Sequence, residues 1–304
     1  MRALVTGATG FVGPHLVAHL DRPLILTRNA ARARDELAGR NIDFFEFDLN
    51  SGPPPSAAMQ GVDTVFHLAG ESVAAGRWTK KRKQRIRDSR VLGTRHLVEA
   101  LAVLPAGERP KVFVSASAVG YYGSRGEETL TEESTQGDDF LADVCQEWER
   151  EVARAAALGI RTAMLRTGIV LGPGGGALQK MLPPFRLGFG GRLGNGRQWM
   201  PWIHVEDLAA LFLHVATTDT IHGPVNAVAP ELVRNREFTK ALAQVLHRPA
   251  VLPAPYFGLR LLFGEFAKVL FASQKVEPRV PTASGFSYRH PHLEDALQAA
   301  LASQ

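Results

Sequence analysis

Cysteine is almost absent: Cys145 is the single one in 304 residues. That count excludes an intramolecular disulfide and fits a reducing, cytoplasmic setting. No uninterrupted apolar stretch reaches the roughly 18 residues a membrane helix needs. The first apolar run is cut short by a glycine-rich turn, so it reads as a core strand and not as a secretory signal. No His, Cys or Asp cluster has metal-ligand spacing, and no metal is expected. Internal repeats are missing as well.

What remains is an ordinary soluble composition, 45% hydrophobic and 21% charged, in a chain long enough for a large core with a smaller appendage. The net charge of +5 has a local source. Lys80, Lys81, Arg82, Lys83, Arg85 and Arg87 stand within eight residues, and the rest of the chain is slightly negative. Such a run reads as a solvated helix face. No aromatic residues interleave it as a single-strand stacking platform requires, so nucleic acid is not expected as a partner.

Thr6-Gly7-Ala8-Thr9-Gly10-Phe11-Val12-Gly13 follows the apolar run Ala3-Leu4-Val5 directly. The order is strand, glycine turn, helix start. Glycines let backbone approach a pyrophosphate, and a helix N-terminus offers N–H groups and a positive dipole end. The spacing is Gly-x-x-Gly-x-x-Gly, not the commonest dinucleotide fingerprint.

Downstream, strands and helices alternate. Residues 2–6, 23–27, 43–47, 64–68, 111–115 and 161–166 read as strands, with helices from Phe11 through Leu20, over 80–104 and over 138–158. This alternation predicts an α/β fold with a doubly wound parallel sheet, the Rossmann arrangement. After Leu171 the texture changes to a Gly-rich and aromatic region up to Trp202, with helices near 205–217 and 235–246 and a strand near 225–229. Pro249–Pro255 reads as a linker and the rest as a small helical tail. The expected organisation is a cofactor domain over 1–235, with substrate-side elements from about 172 onward, and a small C-terminal helical domain over 250–304.

In dinucleotide folds, the residue ending the second strand reads the adenosine ribose: an acid binds the 2′-hydroxyl, an arginine the 2′-phosphate. Here that residue is Arg28, followed by Asn29, Arg32 and Arg34, with no acid before Asp35. A guanidinium matches phosphate bidentately, which predicts NADP(H) over NAD; the competing reading is an exposed loop arginine. Asp48 ends the third strand, placed either for the adenine amino group or as a turn cap. Leu68-Ala69-Gly70 ends the fourth, where small residues let backbone pass against a cofactor. His67 reads as a buried, hydrogen-bonded histidine.

Thr-Gly-x-x-Gly-Phe-x-Gly, His-Leu-Ala-Gly-Glu (67–71), Ser-Arg-x-x-Gly-Thr (89–94), Ser-Ala-Ser-Ala-Val-Gly-Tyr-Tyr-Gly (115–123) and Leu-Arg-Thr-Gly-Ile-Val-Leu-Gly (165–172) together resemble the extended and atypical short-chain dehydrogenase/reductases. The nearest likeness is the epimerase-like branch, sometimes labelled cell-division-inhibitor-like, with a C-terminal domain of unknown function. The resemblance spans almost the whole chain. It implies NADP(H) binding by Gly7, Thr9, Gly10, Phe11, Val12 and Gly13, by Arg28, and by Leu68, Ala69 and Glu71. It further implies places near the cofactor for Arg90, Ser115, Ala116 and Arg166.

The family's Tyr-x-x-x-Lys pair is missing. Aligned on Glu149, Leu141 falls at the tyrosine and Cys145 at the lysine. Leucine has no proton to give, and a neutral thiol is no ammonium ion. Ser117, at the family's hydrogen-bonding serine, and Tyr121, with Tyr122 beside it, are the remaining catalytic candidates. Trp199, Trp202 and His204 either wall a pocket above the nicotinamide or belong to the core. The sequence therefore leaves two functions open. One is an NADP(H)-dependent oxidoreductase or epimerase acting on a small, sugar-like substrate, as a monomer or homodimer. The other is a regulatory protein that binds NADPH and turns nothing over.

Overall fold

A computed structural model describes residues 1–302, so the last two residues of the expected 250–304 unit lie outside it. Seven strands build one parallel sheet: β1 (Ala3–Thr6), β2 (Leu24–Thr27), β3 (Asp43–Glu46), β4 (Thr64–His67), β5 (Val112–Ala118), β7 (Arg161–Thr167) and β10 (Gly223–Ala227). Their order is β10-β7-β5-β4-β1-β2-β3. Chain direction therefore reverses its lateral progress between β1 and β4, and ligands of such sheets bind at the carboxyl ends of the strands at that switch point.

Alternating side chains feed two cores. Val5, Ile25, Phe66, Val114 and Leu165 face α1 (Gly13–Val17) and α6 (Val205–Thr217), whose Leu208 and Phe212 fill the first. Leu4, Leu26, Val65, Phe113 and Met164 face α3 (Lys80–Ala102) and α4 (Phe140–Ala153), whose Leu97, Leu101, Trp148 and Val152 fill the second. With both faces covered, the strands are apolar at nearly every position. α2 (Ala30–Glu36) follows β2, capped by the Asn29 side chain, which accepts from the Arg32 N–H.

A third core joins α5 (Gly176–Arg186), α7 (Asn235–Val245) and α11 (Leu293–Leu301) around Trp202, Phe238, Leu178 and Leu297. Two short parallel pairs complete the fold: β8 (Ile169–Leu171) with β9 (Trp202–His204), and β6 (Thr129–Leu130) with β11 (Lys275–Val276). The remaining helices of the tail are α8 (Tyr256–Phe263), α9 (Ala267–Leu270) and α10 (Arg279–Ala283).

Several boundaries differ from expectation. The first helix begins only at Gly13 and ends at Val17, because residues 7–13 form consecutive tight turns (Gly10 N–H to Gly7 O, 2.9 Å; Gly13 N–H to Gly10 O, 3.2 Å). α5 lies in the stretch read as irregular, where Pro183 and Pro184 in its last turn mask the helical pattern. β8 and β9 have three residues each, too few for any periodicity to register.

Candidate functional site

The β1–α1 turn owes its shape to glycine. Gly7 has φ +71°, and a Cβ there would lie 2.6 Å from the Leu68 carbonyl carbon. At Gly13 a Cβ would sit 2.2 Å from the Ala8 oxygen. Both glycines serve close approaches inside the protein. Gly10 differs: it is exposed, and a Cβ there meets only the Gly7 oxygen, at 3.1 Å. Its bare backbone faces outward at the helix start, as a phosphate cradle requires. Phe11 closes the turn from the far side, its ring against Gly172, Gly175 and Gly176, where any Cβ would fall within 3.1 Å of it. Nothing in their spacing announces that Gly172, Gly175 and Gly176 admit that ring.

At the end of β2, Arg28 is exposed and makes no ion pair or hydrogen bond among the described residues. Asn29 is committed to capping α2, and the Arg32 guanidinium pairs with Glu36 at 2.7 Å. Asp48 is a turn cap: its Oδ1 accepts from the Asn50 N–H (3.0 Å) and side-chain amide (2.9 Å). Asn29, Arg32 and Asp48 thus have partners within the protein, while Arg28 has none among the described residues.

At the end of β4, Leu68 and Ala69 are half-buried and Gly70 is exposed. The Arg90 guanidinium lies across Gly70, 3.2 Å from where a Cβ would stand, and over the Trp148 ring at 5.3 Å. Its Nη1 donates to the Glu71 and Ile86 carbonyls (3.0 and 3.1 Å). Glu71 accepts from Arg82, which is buried, so one member of the basic run turns inward and is not a solvated charge. His67 is fully buried between the hydroxyls of Thr6 (2.7 Å) and Thr94 (2.9 Å). Burial, and then the Arg90 charge, push its pKa down to about 3, so the imidazole is neutral.

The carboxyl end of β5 is closed on itself. Ser117 is buried and donates to Glu149 Oε1 at 2.6 Å. Arg166 holds the same carboxylate with Nε (2.9 Å) and Nη2 (2.8 Å), while its Nη1 donates to the Tyr122 hydroxyl (3.0 Å) and the Glu132 carbonyl (3.1 Å). Tyr122 donates onward to Asn226 Oδ1 at 2.6 Å. Burial opposes the Arg166 charge, but its bonds to Glu149 outweigh that and hold it protonated. Burial likewise pushes the Tyr122 hydroxyl up to about 12, so it stays protonated, with its hydrogen engaged by Asn226. Arg166 and Ser115 are both internal. Arg166 is 3% exposed, and Ser115 is fully buried and donates to the Ala116 carbonyl. Ala116 is half-buried on the α1–α6 side of the sheet.

Leu141 and Cys145 do lie side by side, one turn apart on α4, against Gly120: a Cβ there would be 3.3 Å from Leu141 Cβ and 3.8 Å from the Cys145 sulfur. Burial, then Glu149, push the thiol up to about 12, so it carries no charge and is no nucleophile. Tyr121 is half-buried over Arg166, its ring 3.5 Å from the guanidinium carbon. Its hydroxyl makes no hydrogen bond among the described residues.

Of the aromatic wall, Trp202 and His204 are core and only Trp199 is partly open, under Arg234 at 4.1 Å. The fold does gather His204, Glu206 and His290 within 4.8 Å, a grouping that no spacing in the sequence announced. His204 Nδ1 accepts from the Glu206 N–H (3.3 Å) and Arg289 donates to the Glu206 carboxylate (2.9 Å), so the group clamps the tail onto α6. Glu149 was also missed. Its signal was an acid inside the apolar stripe Cys145-Trp148-Val152 of a helix, a placement that calls for a buried partner.

Residues 3–227 match the model of the NAD dependent epimerase/dehydratase family, and residues 254–300 match a domain of unknown function, DUF1731. The chain belongs to this epimerase/dehydratase family. A chloroplastic SDR39U1 homolog of Arabidopsis thaliana, described as an epimerase family protein, is 39% identical over 99% of this chain and 87% of its own length. The epimerase family protein YfhF of Bacillus subtilis is 38% identical over 100% and 99%. The crystal structure of human epimerase family protein SDR39U1 (isoform 2) with NADPH superposes with a TM-score of 0.86 at 34% identity, covering both chains completely. In this chain the turn at Gly7–Gly13 and the closed β5 end lie along the same carboxyl edge of one sheet.

Proposed function

We propose that this chain binds NADP(H) across the carboxyl ends of β1 and β4, with the Gly7–Gly13 turn on the pyrophosphate and Arg28 on the 2′-phosphate. The observation that carries the reading is the uncommitted Arg28 at the end of β2, beside Asn29, Arg32 and Asp48, which have partners, and Arg34, which lies over the Phe44 ring. The human relative crystallised with NADPH supports it. Leu68, Ala69, Gly70 and Arg90 are the groups along the next strand end that would flank the bound dinucleotide, and Phe11 would shield the turn from water. The single buried thiol suits a cytoplasmic setting.

The cofactor supplies or accepts hydride when bound. The chemistry best matched to the family is then reduction or epimerisation of a small, sugar-like substrate, with the proton held by Tyr121. Ser117 is poorly placed for that work, since its hydrogen already points at Glu149. That same bond favours a second reading, a regulatory protein that binds NADPH without turnover. The test is loss of nicotinamide absorbance with the full-length protein and NADPH against a carbonyl panel, together with chromatographic detection of epimer interconversion in nucleotide sugars with NADP⁺, since epimerisation returns the hydride and leaves the absorbance unchanged. Turnover that falls about 10²–10⁴-fold in Tyr121→Phe and survives Ser117→Ala supports the enzyme. Tight NADPH binding with no turnover on any compound supports the regulator, and failure to bind NADPH overturns both.

A further inference from the structure

Half of the 80–87 run is spent on acidic partners, while Lys80, Lys81 and Arg85 stay exposed. In the 80–87 run, Arg82 pairs with Glu71, Lys83 with Glu265 and Arg87 with Glu147. A second concentration is assembled by the fold from separated segments. A cavity of about 660 Å³ lies between α7, the turn around residue 192 and the chain that leaves α7. Arg192, Arg236, Lys240 and Arg248 line it with His247, and no carboxylate does. Arg192, Lys240 and Arg248 make no ion pair among the described residues, and Arg236 has only a 3.5 Å contact with Glu237, both half exposed.

The backbone is built to hold these cations together. Gly196, at φ +69°, has neither side chain nor space for one: a Cβ would lie 2.9 Å from Arg236 Cβ and 3.2 Å from Arg192 Cβ. The two arginines thus converge on one bare glycine. Gly191 does the same for the neighbouring chain, because a Cβ there would overlap the Leu252 oxygen at 1.5 Å. The Ala254 N–H donates to the Arg192 carbonyl (2.8 Å) and fixes that seam. At the far end, His247 adopts φ +51°, a region costly for a residue with a Cβ. That turn sends the Arg248 N–H back to the Ala243 carbonyl (3.0 Å) and returns the chain to the cavity. Arg236 and Lys240 meanwhile stand one helical turn apart, a like-charge pair that destabilises a free helix. Repulsion and backbone strain are both concentrated here, offset among the described residues only by the Arg236–Glu237 contact.

We propose that this cavity is a binding site for a phosphate-rich anion, sharing no residue with the cofactor turn. Four converging cations match several linked or clustered phosphates, and the volume falls in the range of small-ligand pockets. The same chemistry is offered by a free polyphosphate and by a phosphorylated lipid headgroup.

The test uses the full-length protein with inorganic tripolyphosphate, followed by calorimetry, and with phosphatidylcholine vesicles carrying phosphatidylinositol bisphosphate, followed by co-sedimentation. Lys240→Glu and Arg248→Glu should each weaken binding by about tenfold or more, and Lys240→Gln by less, with the thermal midpoint unchanged. Arg28→Asp should leave tripolyphosphate affinity as it was. Binding of tripolyphosphate assigns the free anion, and binding of the phosphorylated vesicles alone assigns the headgroup; either supports the site. Absence of both, indifference to charge reversal, or loss of tripolyphosphate binding in Arg28→Asp overturns it.

Discussion

The β1–α1 turn and the β5–α4 junction lie at the same edge of one sheet and treat polar groups in opposite ways. At the turn, exposed backbone at Gly10 and an unpaired Arg28 face outward. At the junction, Ser117, Glu149, Arg166, Tyr122 and Asn226 are all buried and satisfy one another. The difference separates groups left open from groups spent on the fold. Arg28 and the Gly10 backbone have no internal partners, while groups tied into a buried network hold the fold. Family motifs run through both regions alike, so motif membership does not tell the two roles apart.

The comparison breaks or sharpens under mutation, with the largest effect at the junction. Arg166→Met leaves Glu149 buried and unpaired and should cost about 3–5 kcal/mol by denaturant unfolding. Glu149→Leu combined with Arg166→Met should cost less than Arg166→Met alone, because no lone charge remains. A small loss in Arg166→Met would mean that the network is not structural.

Next comes Arg28→Asp, which should weaken NADPH relative to NADH by about 1.5–3 kcal/mol in fluorescence titrations, with stability unaltered. Equal weakening of the two cofactors would remove the 2′-phosphate assignment and blunt the contrast.

A pH effect from His67 is read over a narrow window, worth about 2 kcal/mol between pH 6.5 and 5. Its folded-state pKa, near 3, lies below the ordinary 6.5, so the unfolded chain takes up a proton that the folded one refuses. Stability should therefore fall as pH drops below 6.5, by about 1.4 kcal/mol per unit, until the folded histidine also protonates near 3. His67→Asn should flatten the slope between pH 6.5 and about 5, above most carboxylate titrations. An unchanged slope would show that burial of this imidazole carries no such cost.

Much of the fold was legible because its signals are local. Apolar runs such as Thr64–His67 and helices such as Val205–Thr217 stand where periodicity puts them, and the Rossmann order follows from their alternation. The turn was legible for the same reason, its glycines being contiguous. Other parts were written across long separations. Arg166 reads as a motif arginine until Glu149, 17 residues earlier, is seen to hold it. Glycines 172–176 look like a loop until Phe11 is found lying against them. The cationic cavity draws on residues 192 and 236–250, and no window of sequence contains it.

Glu132 bears on how the chain is made. One oxygen of its buried carboxylate accepts from the Asn226 N–H (3.1 Å), 94 residues on, and from the Val280 N–H (3.0 Å), 148 residues on. On a ribosome adding roughly 5–20 residues per second, that carboxylate waits on the order of ten seconds for its last donor. The β10 edge of the sheet cannot be sealed until nearly the whole polypeptide has emerged, so a truncated nascent chain carries an uncapped acid beside that edge.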